Sequence, residues 1–228
     1  MPATWITLLR FPILLAIVLA LHAASPWVRL AGAAALFVGL MLDTVDGIVA
    51  RRNGQVSLLG GVLDIAADRT YELVLWVGFA DLRLVPLWVP LVVLVRTTLT
   101  DGLRSLGVGQ GTAPFDQARG PLARFLVASP IMRTGYSAGK VVTFCGLALA
   151  WGLAAVPGGG PAARVAPIVL AAARIALWPT LALCLLRGLP VVLDPPGGWA
   201  SALRRRAADA TRGGRPPAAG RLPARMSG

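Results

Sequence analysis

Long apolar runs broken by short polar or glycine-rich stretches are the dominant pattern along this chain. Six runs stand out: about Ile6 to Ala24, Leu30 to Ala50, Leu58 to Phe79, Leu87 to Leu106, a fifth from Gly139-Lys140 to Val156, and Val165 to Leu186. Each approaches the roughly 20 residues that a helix needs to cross bilayer hydrocarbon. The breaks between them carry turn chemistry, with Arg52-Asn53-Gly54-Gln55 after the second run and Pro157-Gly158-Gly159-Gly160 after the fifth. Ala80 to Pro86 is a short connection, whereas Gly107 to Ser137 reads as the longest polar loop and holds Arg119, Arg124 and Arg133. The pattern predicts an all-α polytopic membrane protein, with six transmembrane helices in one bundle over residues 1–188. Residues 189–228 turn to proline, glycine and arginine without apolar periodicity, which predicts a disordered tail with a short amphipathic start near Trp199 to Ala208.

The first run ends in His22-Ala23-Ala24-Ser25, as a signal peptide could. Its Arg10 lies inside the run rather than ahead of it, and five further spans follow, so it reads as the first membrane helix. Composition agrees with a membrane protein: 56% of residues are hydrophobic, the mean hydropathy is +0.71 and only 14% are charged. A net charge of +12 would point to nucleic acid in a soluble protein. Here the arginines gather in the connections after spans two and four and in the tail, while the odd-numbered connections carry only Arg29, Arg83 and Arg164. By the positive-inside rule both termini face the cytoplasm, and no nucleic acid is expected as partner. Cys145 and Cys184 sit in apolar runs and read as buried thiols, and His22 carries no spacing that marks a ligand. Lys140 is the single lysine beside twenty-one arginines, which singles it out for the compact charge of an ammonium.

The polar positions that the apolar pattern does not explain lie between Asp43 and Asp68. On a helix Asp43, Asp46, Gly47, Ala50 and Arg51 share one face, and Gly60, Asp64 and Asp68 share another. A carboxylate within a membrane span costs roughly 2.5–3.5 kcal/mol on insertion scales, so four of them need a strong compensating interaction. All four are hard oxygen donors with no histidine or cysteine nearby, which suits Mg²⁺ or Mn²⁺, and the cluster has room for two divalent ions. Gly47 lets a substrate approach the backbone, and Arg51 can fork onto a phosphate oxygen. Together these features describe a nucleotide or diphosphate site. Glu72 continues the four-residue step but has drifted around the helix, so it reads either as a residue that supports the site's ligands from behind or as a purely structural one. Thr7 and Arg10 form a polar patch on the first span, and Asp101 with Arg104 has the spacing of an i, i+3 ion pair.

The pattern Asp43-x-x-Asp46-Gly47-x-x-Ala50-Arg51, eight residues, then Gly60-x-x-x-Asp64-x-x-x-Asp68 resembles the signature of the CDP-alcohol phosphotransferase family at every fixed position. The resemblance covers about residues 5 to 187 and implies that family's six-helix membrane fold. It implies transfer of a substituted phosphate from a CDP-linked donor to an alcohol hydroxyl, with release of CMP. Asp43, Asp46, Asp64 and Asp68 would then hold two divalent metal ions, Mg²⁺ or Mn²⁺, with Asp68 also acting as the base toward the acceptor hydroxyl. Gly47, Ala50 and Arg51 would line the CDP site, with Thr7 and Ser57 at its edge. The resemblance also makes a homodimer the expected assembly.

Within the family the chain is most similar to phosphatidylglycerophosphate synthases. Thr7-x-x-Arg10, Arg96 followed by Gly102-Leu103-Arg104, and Gly139-Lys140-x-x-Thr143 carry that likeness. Thr97 stands where an acidic residue is expected, Asp101 is an addition, and Val142 replaces a second lysine. CDP-diacylglycerol is the expected donor and glycerol 3-phosphate the expected acceptor, held by Arg104, Arg133 and Lys140. Inositol phosphate or another alcohol is the alternative acceptor, and a divalent-cation transporter is a distant alternative function. Arg51 beside the carboxylates argues against a cation pathway. The expected location is the inner (cytoplasmic) membrane, with the site facing the cytoplasm.

Overall fold

Four of the six helices in the described chain begin on a proline, where the missing N–H costs nothing and the fixed φ suits the first turn. They are α1 (Pro2–His22), α2 (Pro26–Arg52), α5 (Pro130–Ala154) and α6 (Pro161–Leu193). Between them lie α3 (Leu58–Asp81) and α4 (Trp88–Val108). The computed structural model describes residues 2–52, 58–108, 125–126 and 129–193, with the side chains of residues 2–7, 42–52, 58–62, 64 and 106–108 outside that description. No strand occurs among the described residues.

The all-α architecture follows the sequence pattern, but two helices, the fifth and the last, run further than the pattern predicts. The fifth helix starts at Pro130 rather than near Gly139, so Arg133 stands on its first turn and not in a loop. The last helix runs from Pro161 to Leu193, past both ends of the Val165–Leu186 run and through Pro167, Pro179 and Pro190. An interior proline costs about 3 kcal/mol in an isolated helix, but packing against a neighbour offsets part of that cost. At Pro179 the neighbouring Thr180 hydroxyl donates to the Ala176 carbonyl (2.8 Å).

Two helices among the described residues, α5 and α6, are long and apolar enough to cross a membrane. Leu8–His22 in α1 and Pro26–Met41 in α2 are shorter apolar stretches. In α3 and α4 the charged residues interrupt the apolar run, at Asp68, Arg69 and Glu72 and at Arg96, Asp101 and Arg104. The surface agrees with lipid contact. Leu15, Leu19, Leu87, Ile168, Ile175 and Trp178 are exposed, whereas soluble monomers rarely expose large contiguous apolar patches.

All six helices contribute to the core, which includes Ile17, Leu36, Leu75, Trp76, Phe79, Val89, Val93, Phe144, Leu147 and Leu177. The Trp76 and Phe144 rings meet edge to face at 4.8 Å. Small residues set the closest helix contacts. A methyl group on Gly146 would sit 2.8 Å from Ala173 Cβ, and one on Gly152 would sit 2.7 Å from Leu30 Cδ2. These bring α5 against α6 and α2 at backbone distance.

One end of the bundle is closed by tethers between connections. His22 Nε2 lies 3.0 Å from Asp81 Oδ2, Trp151 Nε1 donates to Leu21 O (2.8 Å), and Arg174 Nε donates to Leu84 O (3.1 Å). Polar and charged side chains of α3 to α6 collect toward the other end.

Candidate active site

Asp68 lies in the third turn of α3, and its side chain is 48% exposed. One turn later on the same helix Glu72 is 2% exposed, the one charged side chain that is buried among the described residues. The difference follows from the drift of about 40° that four residues make on an α-helix. It carries Glu72 off the open face and against α5. There Tyr136 donates its hydroxyl to Glu72 Oε1, and Lys140 Nζ donates to Glu72 Oε2 (3.2 Å).

Lys140 also reaches the open side. Its Nζ lies 3.5 Å from Asp68 Oδ1, so the ammonium stands between one buried and one accessible carboxylate. Tyr136 presents its ring to the same ammonium at 5.0 Å and to the Arg187 guanidinium at 5.5 Å. Arg69, next to Asp68, extends the network the other way: its Nε is 3.1 Å from Asp101 Oδ2 and its Nη1 is 3.9 Å from Glu72 Oε2. Asp101, within electrostatic range of Arg104 on its own helix, is also the α4 partner of Arg69.

Further cations close the junction. Arg104 lies within electrostatic range of Arg69, Arg96, Asp101 and Arg187, and Arg187 within range of Arg96, Arg133 and Arg69. Arg96 reaches this place because α6 has no side chain at Gly188, where a Cβ would lie 2.6 Å from Arg96 Nε. The Nε atoms of Arg96 and Arg187 are buried and make no hydrogen bond among the described residues. Among the described side chains the junction thus gathers Arg69, Arg96, Arg104, Arg133, Lys140 and Arg187 around Asp68, Glu72 and Asp101. Among these described side chains cations exceed anions, which suits an anionic ligand.

Of the residues singled out in the sequence, Asp68 and Lys140 are brought together, and Arg104 and Arg133 belong to the arginine group around them. Arg10 packs over the Tyr71 ring at 5.4 Å, and Tyr71 reaches α2 beside Gly39. Val142, at the position of an expected second lysine, is exposed on the outer face of α5. Thr97 is buried, so that helix face offers no room for an ionised side chain open to solvent. Asp43, Asp46, Gly47, Ala50 and Arg51 fall within α2, Gly60 and Asp64 within α3 and Thr7 within α1, but their side chains lie outside the described residues. Ser57 lies outside them altogether.

Among the described residues no group of three histidine, cysteine or acidic side chains forms a metal cluster. The donor set nevertheless fits a hard cation. Asp68 is accessible and the candidate ligands on α2 and α3 are all carboxylates, while Cys184 is buried against Tyr136 and Cys145 is half-buried.

Arg69, Glu72, Tyr136 and Arg187 are the site residues that the sequence did not single out for a role in binding. One signal was present. The chain has only two tyrosines, and both sit against cations at this end.

A family model described as CDP-alcohol phosphatidyltransferase matches residues 1–156. Cardiolipin synthase (CMP-forming) of Streptomyces coelicolor is 47% identical over 57 residues, which span 25% of this chain and 26% of that protein. Proteins of Mycobacterium bovis and Mycobacterium tuberculosis, provisionally named cardiolipin synthase, are 31% identical over 155 residues, 65% of this chain and 72% of theirs. The chain thus matches about a quarter of the length of the Streptomyces relative and most of the mycobacterial ones. The helix that carries Arg187 and Gly188 lies beyond the stretch matched by the family model.

Proposed function

The chain belongs to the CDP-alcohol phosphatidyltransferase family, and from that premise we propose that it makes phospholipid by moving a phosphatidyl group from CDP-diacylglycerol to a glycerol hydroxyl. The acceptor already carries a phosphate, and CMP is the other product. The observation that carries this reading is the crowd of cations around Asp68 and Lys140, which suits an acceptor with its own negative charge.

In this reading Asp43, Asp46, Asp64 and Asp68 hold two divalent ions, Mg²⁺ or Mn²⁺. Such ions, when bound, neutralise the diphosphate and the departing CMP. Gly47, Ala50 and Arg51 take the CDP group, with Thr7 and Ser57 at its edge. Asp68 accepts the proton of the acceptor hydroxyl as that oxygen bonds to the phosphatidyl phosphorus. The bond from this phosphorus to the bridging oxygen breaks, and CMP leaves with that oxygen. Lys140, Arg104 and Arg133, joined by Arg96 and Arg187, hold the acceptor's phosphate.

The relatives' names favour one acceptor. Cardiolipin has two phosphatidyl groups on a single glycerol, and a CMP-forming synthase receives one of them from its CDP-linked donor. Its acceptor must therefore already bear the other, which makes it phosphatidylglycerol. We assign this acceptor to the chain ahead of glycerol 3-phosphate, the sequence expectation, because the similar proteins carry the name cardiolipin synthase. Both acceptors present a glycerol hydroxyl next to a phosphate, and inositol phosphate would meet the same cations.

The enzyme is proposed to lie in the inner membrane as a six-span homodimer with this end facing the cytoplasm. The test is CMP release from CDP-diacylglycerol by membranes containing the protein, with each candidate acceptor in turn. Phosphatidylglycerol should support release and yield cardiolipin, and Asp68→Asn should abolish it. Release with glycerol 3-phosphate alone would reassign the product to phosphatidylglycerophosphate. Equal release with free inositol or serine would overturn the phosphate-bearing acceptor.

A further inference from the structure

We propose that Glu72 is a positioning residue whose buried carboxylate holds the Lys140 ammonium against Asp68, where it meets the phosphate of the acceptor. The inference rests on the phosphatidyl-transfer reading above and adds to it the residue that places its lysine.

Glu72 is itself shut away from substrate, 2% exposed between α3 and α5. A buried carboxylate is costly unless charge and hydrogen bonds compensate it. Here Tyr136 and Lys140 donate to its two oxygens and Arg69 lies 3.9 Å away. A carboxylate serving only to tie α3 to α5 would need no more than this.

The same Nζ, however, stands 3.5 Å from Asp68 Oδ1, on the accessible side. An ammonium has three N–H donors on a flexible four-carbon stem. With one N–H turned to Glu72 and the head group resting over the Tyr136 ring, the stem no longer swings freely. The remaining donors have Asp68, half exposed, within 3.5 Å of Nζ. Glu72 thereby converts a mobile charge into a fixed one. Fixing it beforehand spares the acceptor part of the ordering entropy of binding. Tyr136 belongs to the same device, since its hydroxyl holds the other carboxylate oxygen and fixes the direction in which Oε2 faces Lys140.

The two roles differ in where the loss falls. A structural tie would lower stability and affect donor and acceptor alike. A positioning residue acts through Lys140 and affects the acceptor. The experiment uses the full chain in membranes with CDP-diacylglycerol, Mg²⁺ and phosphatidylglycerol. It compares Glu72→Gln, Lys140→Met and the double variant, with thermal unfolding of each in detergent. Glu72→Gln should raise the acceptor KM about tenfold while the donor KM stays within about twofold. The double variant should be little worse than Lys140→Met alone, because Lys140 is the hydrogen-bond partner of Glu72 that also reaches Asp68. A loss that falls equally on the donor KM, or that multiplies fully in the double variant, would overturn the proposal. Where Glu72→Gln fails to accumulate, Tyr136→Phe decides: it keeps the charge pair, should raise the acceptor KM by about threefold, and an unchanged value would overturn the proposal. Wild-type membranes that release no CMP with any acceptor would overturn the phosphatidyl-transfer reading itself. Active wild type with an unaltered Glu72→Gln would overturn the positioning role alone.

Discussion

Gly188 and Arg96 show how the absence of one methyl group places a charge. The guanidinium lies across α6 where a Cβ would come within 2.6 Å of Nε and 3.1 Å of Cγ. A side chain there must push Arg96 aside, and its stem can yield more easily than the backbone. Gly188→Ala should therefore leave the fold standing while weakening the acceptor site. Loss of one charge-assisted hydrogen bond is worth about 1.5–3 kcal/mol, so the acceptor KM should rise on the order of tenfold to a hundredfold. Steady-state kinetics with varied phosphatidylglycerol check this, and an unchanged KM would remove Arg96 from the site. At this scale the sequence disclosed only part of the site. Asp68 is legible because it completes a spaced set of carboxylates, and Lys140 because it is the lone lysine. The pairing of Glu72 and Arg69 is not, because their partners lie on other helices, at Tyr136, Lys140 and Asp101. No local spacing encodes such pairs. Arg187 was hidden for another reason, since an arginine at the end of an apolar run reads as a membrane-edge charge.

Helix contacts are the next scale, and there the small residues decide. Gly146 meets Ala173 with a prospective Cβ contact of 2.8 Å and 3.6 Å to Ala173 Cα. Neither partner has a rotamer to change, so relief requires the backbones of α5 and α6 to separate. Gly146→Ala should destabilise the protein by about 1–3 kcal/mol, the usual cost of overpacking, despite the better helix propensity of alanine. Gly102→Ala is the matching control, because nothing lies within 4 Å of its Cβ position. There the propensity gain of at most about 1 kcal/mol should appear undiminished. Thermal unfolding in detergent separates the two, and equal shifts would refute the packing argument. Helix existence was plain from the apolar runs, but their ends were not. Pro130 and Pro161 resemble breakers in sequence, yet each opens a helix, and α6 continues through Pro167, Pro179 and Pro190. A reading that stops at proline or at the Arg187-Gly188 pair loses the turns that carry part of the site.

Orientation belongs to the whole molecule, and it links the charge pattern to the proposed chemistry. The connections tethered at one end follow α1, α3 and α5. The cations of the site collect toward the other end, where α2 and α4 finish and α6 delivers Arg187. Exposed Trp27, Trp88 and Trp178 lie at or near the tethered end, as interfacial aromatics do. The six-span reading therefore predicts one face for the site and the opposite face for the tethers. Single cysteines in a background lacking Cys145 and Cys184 test it with a membrane-impermeant thiol reagent. Leu87→Cys and Gly160→Cys stand on the tethered side, where Leu87 is 68% exposed and Gly160 has open space around its Cβ position. Both should react in intact cells. Asn53→Cys and Ser201→Cys, in the basic connection and the arginine-rich tail, should react only after the membrane is opened. The reverse pattern would put the site on the outer face, away from a cytoplasmic supply of nucleotide-linked donor. Reaction of Leu87→Cys from one side and Gly160→Cys from the other would instead break the six-span topology, because an even number of crossings separates those two positions only if both face the same way.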